Sequence, residues 1–129
     1  MTTNNHASVV LQRRIPVLRR RLLDRRRELL VRVARTDEDL RWLDTNLETE
    51  WQEEAQEATL GRLLTALEEL ERTEIAAIDA ALTRIATDHY GRCSSCGGAI
   101  DDARLDVLPH VATCVRCAAL HERHDGRRP

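Results

Sequence analysis

The chain has 129 residues, about one domain's worth, and 42% of them are hydrophobic and 33% charged. That is too apolar for a disordered chain and too charged for a large conventional core. Trp42, Trp51 and Tyr90 are the only aromatics, which argues against a ring-rich compact globule and for an elongated helical body. The net charge of −2 hides strong segregation. Met1 to Arg35 carries ten Arg against Asp24 and Glu28, a net of +8, whereas Thr36 to Asp79 carries fourteen acids against Arg41, Arg62 and Arg72, a net of −11. A chain polarised in this way orients itself in a partner's electrostatic field.

The N-terminal residues lack the basic start and apolar run of a signal peptide, and no apolar stretch reaches membrane-spanning length. The expected compartment is the cytoplasm, where thiols stay reduced, so four cysteines point to a metal before disulfides.

In chain order, residues 1–15 read as a flexible basic N-terminus. Pro16 suits the first turn of a helix, where its missing N–H is not needed. Beyond it, Leu29, Val33, Thr36, Leu40, Leu43 and Leu47 follow a 4-3-4-3-4 heptad spacing, with Arg25 and Arg26 interrupting the seam at its start. Looser packing is expected there. A second periodic segment from about Glu53 to Asp88 has the stripe Leu60, Leu64, Leu67, Glu71, Ile75, Ile78, Leu82 and Ile85. Two four-residue steps around Glu71 resemble a stutter, and Gly61 costs the helix roughly 1 kcal/mol relative to Ala.

Two helices with one narrow stripe each bury those stripes best against each other. Residues 16–88 are therefore expected to form an antiparallel coiled-coil hairpin with its tip near residues 46–55. No Gly or Pro marks the turn, so it is inferred from the stripes; one continuous helix is the rival arrangement and needs a dimer to cover both.

Residues 89–129 contain Cys93-Ser-Ser-Cys96 and Cys114-Val-Arg-Cys117. Each pair places two thiolates on one side of a metal, with Gly97 and Gly98 supplying the backbone freedom of the turn. Together they make a four-cysteine structural zinc site. The small apolar set Ile100, Leu105, Val107 and Leu108 is too little to fold this segment, and zinc binding supplies folding free energy on the order of 10 kcal/mol. Four thiolates leave no open coordination position, so zinc catalysis is not expected. His121 and His124 read as polar faces of a short C-terminal helix. No Ser/His/Asp set or phosphate-binding Gly loop is present, and the chain is not expected to be an enzyme.

The residues Tyr90-Gly91, Cys93, Cys96-Gly97, Ile100, Arg104-Leu105, Pro109, Cys114, Cys117 and Glu122 resemble the zinc-finger signature of the bacterial DksA/TraR family. The likeness covers about 33 residues closely and the hairpin by architecture. It implies a transcription regulator that binds RNA polymerase and inserts a coiled-coil tip into the secondary channel, without sequence-specific DNA binding, and it fits a monomer. Well-known members carry Asp-x-x-Asp-x-Ala at the tip. The equivalent stretch here is Glu50-Trp51-Gln52-Glu53-Glu54-Ala55, which makes Glu50, Trp51, Glu53 and Ala55 the candidate tip. Charge is kept, but each carboxylate moves outward by one methylene. Some relatives respond to the nucleotide ppGpp through basic residues on the second helix. Leu70 to Ala86 offers only Arg72 and Arg84, so that site is not carried over.

Two other readings compete. In one, the Arg-rich start of the first helix tracks phosphates, as in a zinc-finger nucleic-acid-binding protein. In the other, the coiled coil serves a structural adaptor. Under the polymerase reading, Arg19, Arg20, Arg25 and Arg26 form the candidate basic docking surface.

Overall fold

A computed structural model describes residues 9–46 and 54–126, with side chains described for 9–43 and 60–123. Four helices carry it: α1 (Val9–Asn46, 38 residues), α2 (Glu54–Ala86, 33 residues), α3 (Asp102–Val107, 6 residues) and α4 (Val115–Gly126, 12 residues). The fold is mainly α: an antiparallel helical hairpin, a small four-cysteine module and a short C-terminal helix. Extended pairing among the described residues comes down to one antiparallel bridge between Arg92 and Ala99. The expected ribbon is thus a knuckle held by side chains and cysteines.

Helix α1 begins at Val9, earlier than expected, and Pro16 lies inside it. Pro16 cannot donate to the carbonyl of Gln12, four residues back. Gln12 is exposed, so water can take that carbonyl, and the helix runs on through the proline.

The chain divides into two units, one of Met1–Leu23 with Ala77–Pro129, the other of Asp24–Ala76. In the second, Leu29, Val33 and Leu43 are buried on the α1 side, with Thr36 and Leu40 half-buried between them. From Leu29 to Leu43 the heptad seam of α1 therefore lies where its spacing puts it, and Leu47 lies outside the described residues. The start of that seam is not loose. Arg25 donates from Nε to Glu74 Oε2 at 2.7 Å and from Nη2 to Oε1 at 3.1 Å, a two-pronged pair across the helices. Nη1 also reaches Glu28 at 3.5 Å. The hydrogen bond to Glu74 raises the Arg25 pKa further.

On α2 the seam departs from expectation. Leu60 and Leu67 are 46% and 52% exposed, whereas Gly61, Leu64, Glu68 and Glu71 are half-buried. This half of α2 has leucines on two adjacent faces, so periodicity alone offers two registers. The one adopted lets Arg72 bind Glu68 at 2.6 Å and approach Asp37 of α1 at 3.5 Å. Ile78 and Ala81, further along, are fully buried.

In the first unit, Leu11, Leu18 and Leu22 of α1 are buried, as are Ile78 and Ala81 of α2 and Tyr90, Ile100 and Leu105 of the cysteine module. Helix α2 stops in a two-bond C-terminal cap: His89 N donates to Arg84 O at 2.8 Å and Asp88 N to Ile85 O at 3.4 Å. Asp88 takes the left-handed conformation at φ 63° that this cap requires. The chain is thereby turned into Tyr90 and the first cysteine.

The Arg25–Glu74 pair has a measurable signature. Glu74→Ala is expected to cost about 1 kcal/mol, because a partly exposed two-pronged pair contributes little more. Arg25→Leu combined with Glu74→Leu is expected to recover that loss or exceed it, since apolar packing replaces charge without desolvation cost. Urea unfolding followed by far-ultraviolet dichroism separates the two; a double variant weaker than the single one would show the charges to be needed.

Candidate metal centre

The first cysteine pair lies on a tight turn. Cys93 N donates to Gly98 O at 2.7 Å and Gly97 N to Cys93 O at 2.9 Å. Gly97 has φ +76° with nothing within 4 Å of where a Cβ would be, so conformation rather than space calls for glycine there. Gly98 N donates to Cys96 Sγ at 3.4 Å. The second pair straddles the start of α4: Cys114 precedes it, Cys117 lies in its first turn, and Ala118 N closes onto Cys114 O at 2.9 Å. Ser94 N donates to Ala112 O at 2.8 Å, tying the two turns together.

The four sulfurs lie within 4.8 Å of one another, with Cys96 and Cys114 Sγ 3.9 Å apart. Sulfurs bound tetrahedrally at about 2.3 Å from zinc stand about 3.8 Å apart, so the donor set fits that ion in number, chemistry and spacing. None of the four is in a disulfide. Zinc is the structural cofactor of this module. His121 stands apart from the cluster, its Nε2 3.5 Å from Ser95 Oγ.

The thiols are graded. Burial pushes Cys93 up, but backbone hydrogen bonds from Cys114, Cys96 and Ser95 outweigh it and bring the thiol down to about 6. A backbone hydrogen bond from Cys117 lowers Cys114. Cys117 is pushed up to about 12, chiefly because it shares its proton with Cys114. A dication displaces that last proton, for only thiolates bind.

Side chains hold the module against the helices. Arg14 of α1 binds Asp106 Oδ1 at 2.7 Å and Arg21 donates to Asp106 O at 2.6 Å. Tyr90 donates to Pro109 O at 2.8 Å, Arg84 to Val111 O at 3.3 Å and Arg104 to Thr113 O at 3.0 Å. Gly91 has φ +88°, and a Cβ there would stand 2.5 Å from Leu11 Cδ2.

With this geometry in hand, comparison with known proteins places the chain. A family profile described as "Prokaryotic dksA/traR C4-type zinc finger" matches residues 89–123, and one described as "DnaK suppressor protein-like, N-terminal domain" matches residues 18–85. The chain belongs to the DksA/TraR family. It is similar to transcription factor DksA2 from Pseudomonas aeruginosa, with TM-score 0.74 and 27% identity over 87% of this chain and 85% of that one. An uncharacterized protein of Aquifex aeolicus (strain VF5) is 29% identical over 110 residues, covering 84% of this chain and 76% of the relative. No described helix is long and apolar enough to cross a membrane.

The other site residues expected of a DksA/TraR protein fare differently. Glu50, Trp51 and Glu53 lie outside the described residues, and Ala55 lies in α2 where its side chain is not described. In the basic surface, Arg25 is held by Glu74 and Glu28. Arg19 and Arg20 are exposed and Arg26 is half-buried. Sequence reasoning missed the Arg14–Asp106–Arg21 staple. No local signal marks it, because Asp106 lies 92 and 85 residues from its two partners.

Two outcomes are expected here. The purified DksA/TraR protein carries one zinc per chain, retained at neutral pH and released in acid, because protons compete with the ion for the four thiolates. Elemental analysis and a colorimetric zinc-release titration read this; retention of zinc at pH 4 would contradict it. Gly91→Ala is expected to destabilise the fold by about 2–4 kcal/mol, through both the positive φ and the clash with Leu11. A thermal melt of the zinc-loaded variant measures that loss.

Proposed function

We propose that this protein is a DksA-like transcription regulator that binds RNA polymerase and presents the tip of its helical hairpin to the secondary channel to modulate initiation. The observation that carries the reading is the joint match of a four-cysteine module and a helical hairpin to both family profiles, with likeness to a DksA2 transcription factor over most of both chains. On this reading the acidic tip, Glu50 and Glu53 with Trp51 and Ala55, acts near the polymerase catalytic centre. Arg19, Arg20 and Arg26 dock on an acidic polymerase surface. On this reading the protein acts as a monomer in the cytoplasm.

Electrostatics weigh against direct nucleic-acid binding. Arg14, Arg21 and Arg25 are engaged with Asp106 and Glu74, which removes three cations from any phosphate-tracking surface. The acidic stretch from Thr36 to Asp79 repels a phosphate backbone.

Pull-down with bacterial RNA polymerase is expected to recover the protein, and Glu50→Ala with Glu53→Ala to remove its effect on transcription in vitro while leaving binding within about threefold. No recovery at micromolar concentration would reject polymerase as the partner. Loss of binding in the double variant would move the acting tip elsewhere.

A further inference from the structure

We infer that Arg104 is a positioning residue for the zinc centre, acting on the Cys93 sulfur through the peptide group that joins Thr113 to Cys114. Arg104 Nε donates to Thr113 O at 3.0 Å. The N–H of that same peptide, on Cys114, hydrogen-bonds to Cys93 Sγ. In a trans peptide the C=O and the N–H point in opposite directions, and none of the described peptide bonds is cis. The guanidinium therefore holds one end of the amide while the metal ligand takes the other.

The other backbone donors to Cys93, Ser95 and Cys96, belong to its own turn. Cys114 N–H reaches it from the second cysteine pair, so its direction depends on how the loop before α4 is held. Two contacts fix that loop against the first turn and α3: Ser94 N on Ala112 O at 2.8 Å, and Arg104 on Thr113 O. Arg104 is itself constrained. It is half-buried, Leu105 beside it is fully buried, and its own carbonyl accepts from Leu108 N at 2.8 Å.

Four thiolates on one dication leave surplus negative charge, which N–H donors to sulfur spread. A cation on the carbonyl oxygen makes the N–H of the same amide a stronger donor, by on the order of 10–30%. Without Arg104 the peptide plane is free to turn and carry its N–H off the sulfur. Arg84 provides the comparison within the same loop. It donates to Val111 O at 3.3 Å, a carbonyl that belongs to the peptide before Ala112 and not to the one before Cys114. Arg84 braces the loop; Arg104 aims the donor.

The test uses the full chain loaded with zinc or with cobalt(II). Arg104→Met puts a methyl group, and Arg104→Gln an amide N–H, as many bonds from Cα as the arginine Nε. Competition with a chromophoric chelator is expected to show zinc affinity down about tenfold in Arg104→Met and within about threefold of wild type in Arg104→Gln. The thiolate-to-cobalt charge-transfer band should move to lower energy in Arg104→Met, because Cys93 loses a donor. It should stay in place in Arg104→Gln and in Arg84→Ala, which loosens the loop alone. In the wild-type chain loaded with cadmium-113, the Cys114 amide proton should couple to the metal through Cys93 Sγ, a reading that needs no substitution to fold. Absence of that coupling would overturn the inference. So would wild-type affinity and band position in Arg104→Met, a band shift in Arg84→Ala as large as in Arg104→Met, or Arg104→Gln behaving as Arg104→Met does.

Discussion

Everything in the first unit hangs on four thiolates meeting at one ion. Between Arg92 and Ala118 the chain buries only Cys93, Ile100, Leu105 and Cys117 below a tenth of their surface, too little to offset the entropy of ordering that many residues. Zinc closes the gap by joining the turn at 93–98 to the start of α4. What is stabilised is more than a loop. With the turn fixed, Gly91 and Leu105 present the surface against which Leu11 of α1 packs. The ion's binding energy is in this sense spread into the helix that begins at Val9.

The module has almost no sheet, and that creates a second requirement. Loop carbonyls that a ladder would satisfy need other donors. Side chains supply them: Tyr90 to Pro109, Arg84 to Val111, Arg104 to Thr113 and Arg21 to Asp106. Burial raises the Tyr90 pKa to about 12, so its hydroxyl stays a donor at any ordinary pH. Three of these four donors are guanidiniums, whose several N–H groups suit carbonyls scattered over a loop. Part of the arginine content that looks in the sequence like a polyanion-binding surface is therefore structural.

Legibility in the sequence followed the range of the signal. The cysteine pairs and the α1 seam depend on short spacings, and they could be read directly. The Pro16 boundary was misplaced because a proline with an exposed acceptor four residues back can be carried within a helix. Arg25 looked like an interruption because its partner, Glu74, is forty-nine residues away on another helix. The α2 register failed for a related reason: leucines on two neighbouring faces make periodicity ambiguous, and only the ion pairs of Arg72 with Glu68 and Asp37 distinguish the faces.

That ambiguity carries a physical point about α2. A surface helix ordinarily turns its leucines inward and its acids outward. Between Leu60 and Leu70 the reverse holds in part, with Glu68 half-buried beside Arg72 while four leucines face outward. The ion pair offsets the cost of the inward acid, and the free energy forgone by leaving the leucines in water is recovered only when another surface covers them. The choice of which face of α2 turns inward is thus made by the pairing of Glu68 with Arg72 as much as by the leucines.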